Sequence, residues 1–380
     1  MDLICYSHLR WNFVYQRPQH LLSRFAKQKR VFYIEEPVFT NEENTNYYEI
    51  SSPTDNLWLV VPHLQHNLSE PESIVLQQNL LTKLLNDYNI NKYMFWYYTP
   101  MALLISKHLK PEFVVYDCMD ELATFKFAPP ALKELEKDLF EVADIVFTGG
   151  HNLHKAKKSY HHNIYPVPSS IDKEHFIKAR VRNQDPVDQA LITWPRFGFY
   201  GVVDERFDLQ LLTEAAQSRP QWQFIIIGPV IKIDPATLPR LNNIHYLGSK
   251  TYNELPAYLS GWDVAMIPFL LNDSTKYISP TKTPEYLAAG RPVISTSIKD
   301  VVEPYAINGL VHIADSASDF IKAAEIELGK PEKKKWLSAV DALLFDNSWD
   351  NTWQGMVELI DNTLKENKNL LTNLNEEVYV

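Results

Sequence analysis

The chain has 380 residues, a length that suits one or two domains and favours two. Hydrophobic residues make up 45% and charged residues 22%, the balance of an ordinary soluble globular protein. A formal net charge of −10 argues against a nucleic-acid binder, and no apolar run approaches the ~20 residues that cross a bilayer.

The N-terminus, MDLICYSHL, starts with an acid and runs straight into a strand, which is not a signal-peptide pattern. DLICYS (2–7) is read as a strand and RPQHLLSRFAKQ (17–28) as an amphipathic helix with Pro18 near its start. Strands follow at 30–37 and 56–62, separated by a polar stretch read as loop, and then a helix at 73–88. Residues 92–99, 112–117 and 143–149 read as buried strands, with a helix at 130–143 before the last of them and a closing strand at 163–167. Residues 178–196 lose periodicity and gain charge and proline, a linker pattern. The alternation then restarts, with strands at 197–201, 222–228, 243–248, 262–268, 291–296 and 309–314 and helices between them. This predicts an α/β protein of two doubly wound, Rossmann-like domains: residues 1–177, residues 190–347, and a C-terminal helical stretch 348–380 that returns to the first domain.

Cys5 and Cys118 lie in apolar strand runs and read as buried free thiols of a reducing, cytoplasmic compartment, without metal-ligand spacing. Two basic runs, Lys27, Lys29 and Arg30, then Lys155, Lys157 and Lys158, read as solvated helix faces. A weak peripheral contact with anionic lipid at the inner face of the membrane is the sharper alternative.

Ligands of open parallel sheets bind beyond the carboxyl ends of the strands, so chemistry is expected just after each strand and, with two such domains, in the cleft between them. No phosphate-binding P-loop pattern occurs, and no dinucleotide fingerprint follows the first strand. In FYGVVDERFDLQLL (199–212), a turn at Gly201 and a helix near Asp208 leave Arg206 at the positive end of that helix. Two readings are open there, an anion site and an arginine paired with Asp204 or Glu205. In ISPTKTPEYLAAGRPVIS (278–295), either Ser279 or Thr283 is the cap, and Lys282 stands among free backbone N–H groups. Ser279, Pro280, Thr281 and Lys282 together suit a diphosphate. Glu285, one turn on, either stabilises the helix dipole or accepts hydrogen bonds from a ribose diol. VVYDCMDEL (114–122) sets Asp117 and Asp120 just past a strand, where they could orient or deprotonate a hydroxyl, or simply cap and pair.

The run Glu285 to Ser295, EYLAAGRPVIS, resembles the donor-site helix and strand of GT-B glycosyltransferases, in the family 4 (glycosyltransferase group 1) retaining nucleotide-sugar enzymes of bacterial polysaccharide biosynthesis. Residues 199–212, 243–269 and 164–176 resemble, in order, that family's first donor-domain strand and loop, its run beside the base and its interdomain segment. The resemblance implies metal-independent transfer of a sugar from a nucleoside diphosphate, UDP first and GDP next, with retention. The acceptor would be a hydroxyl of a growing glycan or lipid-linked saccharide, and the nucleotide sugar is a co-substrate, with no cofactor. It implies donor contacts at Gly201, Arg206, Gly248, Tyr252, Ser279, Pro280, Thr281, Lys282 and Glu285. It implies catalytic roles for Arg206, Lys282, Asp120 and, after it, Asp117. His8, Trp11, Gln16, Arg17 and Tyr98 fall on the acceptor side. Two departures stand out. Tyr277 occupies the place of the family's first acid, which contacts the transferred sugar, and SHLRWNFVYQRPQH (7–20) replaces the usual Gly-Gly loop. A nucleotide-sugar epimerase and an inactive nucleotide-sugar-binding subunit of a polysaccharide assembly complex are the alternatives.

Overall fold

Runs that are apolar on both faces can only be buried on both faces, and here they build two parallel sheets. The computed structural model describes residues 1–41, 46–181, 184–330 and 332–377, so the last three residues of the C-terminal stretch and Arg182 and Asn183 of the linker lie outside the described residues. The first sheet comprises β1 (Asp2–Ser7), β2 (Val31–Glu35), β3 (Val38–Thr40), β4 (Tyr47–Thr54), β5 (Leu57–Gln65), β6 (Tyr93–Tyr97), β7 (Phe113–Cys118), β8 (Ile145–Thr148) and β9 (Ile164–Pro166). Its order is β3-β5-β2-β1-β6-β7-β8-β9, parallel throughout apart from β4, which pairs antiparallel with β5. The second comprises β10 (Arg196–Tyr200), β11 (Gln223–Ile227), β12 (Ile244–Gly248), β13 (Val264–Ile267), β14 (Val293–Ser295) and β15 (Val311–Ile313), ordered β12-β11-β10-β13-β14-β15 and all parallel. Each sheet reverses its direction of growth once, between β1 and β6 and between β10 and β13, and at those switch points the flanking crossovers part and leave a crevice.

The polar stretch read as loop holds the β4 hairpin strand. Its burial alternates between exposed and partly covered, the pattern of an edge strand, so it lacks the apolar run by which the central strands announce themselves. The linker reading also gives way. Arg196 is fully buried and donates to the carboxylate of Asp185 at 2.9 Å and to the carbonyls of Ile192 and Gln189 at 2.8 and 3.1 Å, which stitches residues 185–192 to the second domain.

The helix Trp349–Glu377 crosses back. Trp349, Met356 and Ile360 are buried in the same apolar cluster as Leu21, Phe25 and Trp96 of the first domain, and Trp349 stacks on His20 at 4.5 Å. Among the described residues no helix is long and apolar enough to cross a membrane. The basic runs are partly spent on internal pairs, Arg30 with Asp2, Lys155 with Glu303, and Lys157 with Glu121 and Glu136. Trp349→Ala removes the largest anchor of that returning helix. It is expected to lower first-domain stability by about 3–5 kcal/mol, read as a lower denaturation midpoint, and an unchanged midpoint would show that the helix rests on the surface only.

Candidate functional site

A cleft of about 840 Å³ opens between the carboxyl ends of the two sheets. One wall is the loop Trp11–Gln16 after β1, and the other is made by Gly201, Gly228, residues 249–255 and the start of the helix Lys282–Ala288. The cap of that helix falls midway between the two the sequence offered, two residues from each. Thr281 occupies the cap position, with its own side chain uninvolved, because a turn from the Pro280 carbonyl to the Thr283 amide leads into it. The hydroxyl of Thr283 is buried instead, and Ser279 faces Asp300.

Lys282 reaches the cleft across position 201. Gly201 has φ +138°, and a Cβ there would lie 2.1 Å from Lys282 Cε, so only glycine lets the lysine pass. The ammonium stands 5.7 Å from the ring centre of Phe199, and among the described residues no carboxylate comes within 4.0 Å of it. Burial lowers its pKa, while Glu285 pulls the other way. Glu285, one turn along, is 7% exposed and accepts a hydrogen bond from the Tyr200 hydroxyl. Burial pushes its carboxyl up to about 7, against that hydrogen bond and the charge of Lys282.

Asp120 follows β7 on the first domain. Burial holds it up at about 6 although Arg206, Arg17 and Lys282 all favour its charged form, so the groups of both domains share one field. Arg206 is in the alternative state the sequence left open. Its Nε and Nη2 grip the Asp204 carboxylate at 2.9 and 2.6 Å, and the guanidinium lies 5.2 Å from the Phe125 ring centre of the first domain. Its charge is thus half-spent locally and stands beside the cleft rather than in its wall.

Further along, Tyr252 stacks on His175 at 4.3 Å and meets Tyr15 of the first domain at 4.7 Å, an aromatic bridge across the mouth. Trp11 and Gln16 line the wall opposite. His8 sits deeper, where burial and Lys232 lower its pKa to about 4, so it is neutral.

Several residues expected in the site lie elsewhere. Asp117 and Arg17 form an ion pair at 2.8 Å in which neither is more than 1% exposed, and Arg17 also donates to the Val167 carbonyl at 2.7 Å. A carboxylate so engaged and fully buried is out of reach of an acceptor. Tyr98 is buried beside that pair and is not part of the cleft wall. Gly248, with φ +67°, shapes the turn before residues 249–255 without forming the wall, and Ser279 and Pro280 stand behind it. Tyr277 turns away, packed on the first domain's core. The sequence reading missed Tyr200, Tyr15 and His175. Tyr200 had the clearest signal, an aromatic closing a strand just before the turn glycine. Among the described residues no group of three His, Cys, Asp or Glu side chains is placed to hold a metal. A free cation, two carboxyls with raised pKa and an aromatic wall can together hold an anion, accept from a diol and receive a proton.

Residues 195–328 match the family described as Glycosyl transferases group 1. A Bacillus subtilis (strain 168) protein named "Putative teichuronic acid biosynthesis glycosyltransferase TuaH" is 26% identical over 257 residues, and the match takes in 62% of this chain and 63% of the relative. Under two thirds of that relative is therefore represented. An E. coli structure described as "Trehalose-6-phosphate from E. coli bound with UDP-2-fluoro glucose" superposes with a TM-score of 0.69 at 12% identity, covering 96% of this chain and 99% of that one. The catalytic domain of starch synthase IV from Arabidopsis thaliana, bound to ADP and acarbose, gives 0.67 at 11%, covering 96% and 99%. Such identities speak to the fold alone, and the fold is GT-B.

Glu285 keeps its proton to about 7 in the fold, against an ordinary 4.5. A carboxyl raised in this way contributes stability that is complete below its unfolded pKa and is lost as the pH climbs through the folded one. Glu285→Gln stays neutral, so between about pH 5 and about pH 8 it is expected to lose less thermal stability than the wild type, and parallel melting profiles would refute the assignment.

Proposed function

We propose, from the GT-B fold and the match of residues 195–328 to the Glycosyl transferases group 1 family, that the protein is a glycosyltransferase moving a sugar from a nucleoside diphosphate to an acceptor hydroxyl. The observation that carries the reading is the unpaired ammonium of Lys282 at the cleft wall, beside a buried carboxylate one turn along the same helix. In this reading Lys282 and the N–H groups at the helix start face the diphosphate. Because they are fixed before charge develops on the leaving group, their stabilisation is realised as the glycosidic bond breaks. The reading needs no metal, since the cation is Lys282. Glu285 accepts from the ribose diol through the oxygen that the Tyr200 hydroxyl does not engage. Arg206 adds positive field from behind its Asp204 partner. Asp120, charged above about pH 6, orients the acceptor hydroxyl and can take its proton. Trp11, Gln16 and the ring of Tyr15 form the acceptor-side wall.

UDP is the preferred nucleotide, then GDP. Transfer retains the anomeric configuration, and the acceptor is a glycan or lipid-linked saccharide met at the cytoplasmic face of the membrane. The name of the Bacillus subtilis relative supports the polysaccharide assignment. A second reading, a nucleotide-sugar-binding subunit without turnover, draws on one observation: Tyr277 is packed away and supplies no acid to the sugar.

Calorimetry with UDP and GDP, followed by turnover of UDP-glucose and GDP-mannose, separates the two. Lys282→Ala is expected to cut turnover by about 10²–10³. Nucleotide binding that Glu285→Ala does not weaken would reject the donor site, and binding without any turnover would favour the subunit reading.

A further inference from the structure

The residues just before Lys282 are fastened to the other domain, at three places. The Asn152 side chain donates to the Lys276 carbonyl at 2.6 Å. Tyr277 packs on the first-domain core that contains Leu139 and Leu153. Ser279 faces the carboxylate of Asp300, which in turn accepts the backbone N–H of Asn152 at 3.1 Å. Asn152 is the second residue of the helix His151–Lys157, which has Gly150 at its cap position and no side-chain cap of its own. Asp300, from the second domain, therefore takes a hydrogen bond that a local cap would otherwise accept. The fit is close. A Cβ on Gly150 would lie 2.3 Å from Asp300 Oδ2 and 2.9 Å from Ser279 Cβ. Asp300 and Asn152 are 5% and 8% exposed, so water does not compete for these bonds.

We propose that Asp300 and Asn152 are positioning residues that strap the segment 276–281 to the first domain, so that Lys282 takes its place in the cleft only when the two domains are closed. The link to nucleotide binding rests on the donor-site reading above; the strap itself does not. Lys282 lies at the end of a short segment held at the Lys276 carbonyl, at Tyr277 and at Ser279. If the domains part, those contacts are lost together and the lysine's approach over Gly201 is no longer fixed. Closure and the placement of the cation thus become one event, which keeps the site incomplete while the cleft is open.

Gly150→Ala and Asp300→Ala break the strap from opposite domains without touching Lys282 or Glu285. Hydrogen exchange without nucleotide is expected to rise in 276–288 for both variants, while the strands of the second sheet keep their protection. Unchanged exchange in 276–288 overturns the strap. UDP affinity, measured by calorimetry, is expected to fall about tenfold in each variant, and Lys282→Ala made in the Gly150→Ala background is expected to cost less than in the wild type. Additive effects overturn the positioning role. Wild-type binding of UDP and GDP that is indifferent to Lys282→Ala and Glu285→Ala counts against the donor-site reading alone, and the exchange experiment still decides the strap.

Discussion

Lys282 can cross the end of β10 only because position 201 has no side chain, and the electrostatics of the cleft follow from that passage. A lysine with no carboxylate in ion-pair range would be costly in a dry interior. Here its charge is spread over a field instead. Glu285 and Asp204 lie on its own domain and Asp120 on the other, with Arg206 opposing them. Each carboxyl in that field is shaped by a different partner. Asp204 is held by Arg206, Glu285 by Tyr200, and Asp120 has no hydrogen-bonding partner of comparable strength, which is why burial prevails there and the proton stays to about 6. Lys282, the cation that the proposed reading assigns to the ligand, has no ion-pair partner among the described residues.

The buried pair of Arg17 and Asp117 does related work beneath the cleft. Arg17 begins the helix that follows the loop 8–16, and Asp117 lies near the end of β7, two residues before Met119, whose amide bonds back to the Asp117 carbonyl. One ion pair therefore fixes both the loop that forms the first-domain wall and the turn that presents Asp120. Removing one partner would strand the other charge in a site no more than 1% exposed. Asp117, the second of the two acids expected near the substrate, instead holds in place the first, Asp120, three residues later.

Most of the architecture was legible in the sequence because both sheets are covered on both faces, which forces continuous apolar runs such as VFYIE and YMFWY. The GT-B assignment rested on the order of those runs and on the EYLAAGRPVIS stretch, and the comparisons agree with it. The missed pieces share a cause, since β4 is an edge strand and residues 185–192 hold only a single helical turn, and both are held by partners that periodicity does not see. Arg206 was ambiguous because its partner is two residues away, so sequence proximity could favour pairing but could not exclude a ligand role. Tyr15, Tyr252 and His175 come together from three separate segments, and no local spacing encodes that meeting.

Tyr277 shows the limit most sharply. Read along the chain, it is an aromatic standing where an acid belongs. Read in space, it is one of the contacts by which the second domain reaches the first. An acid there would bury a charge against the apolar cluster around Leu139 and Leu153, so the tyrosine and the domain contact are chemically linked. In an arrangement of this kind the sugar-contacting function of an acid has to be carried by another group or dispensed with. Of the carboxyls in the field of Lys282, Glu285 lines the cleft on the same helix and Asp120 stands behind it on the first domain. Asp120 belongs to the first domain, so in the closure proposed above it joins the site only in the state that the contacts of Tyr277 and Asp300 hold together.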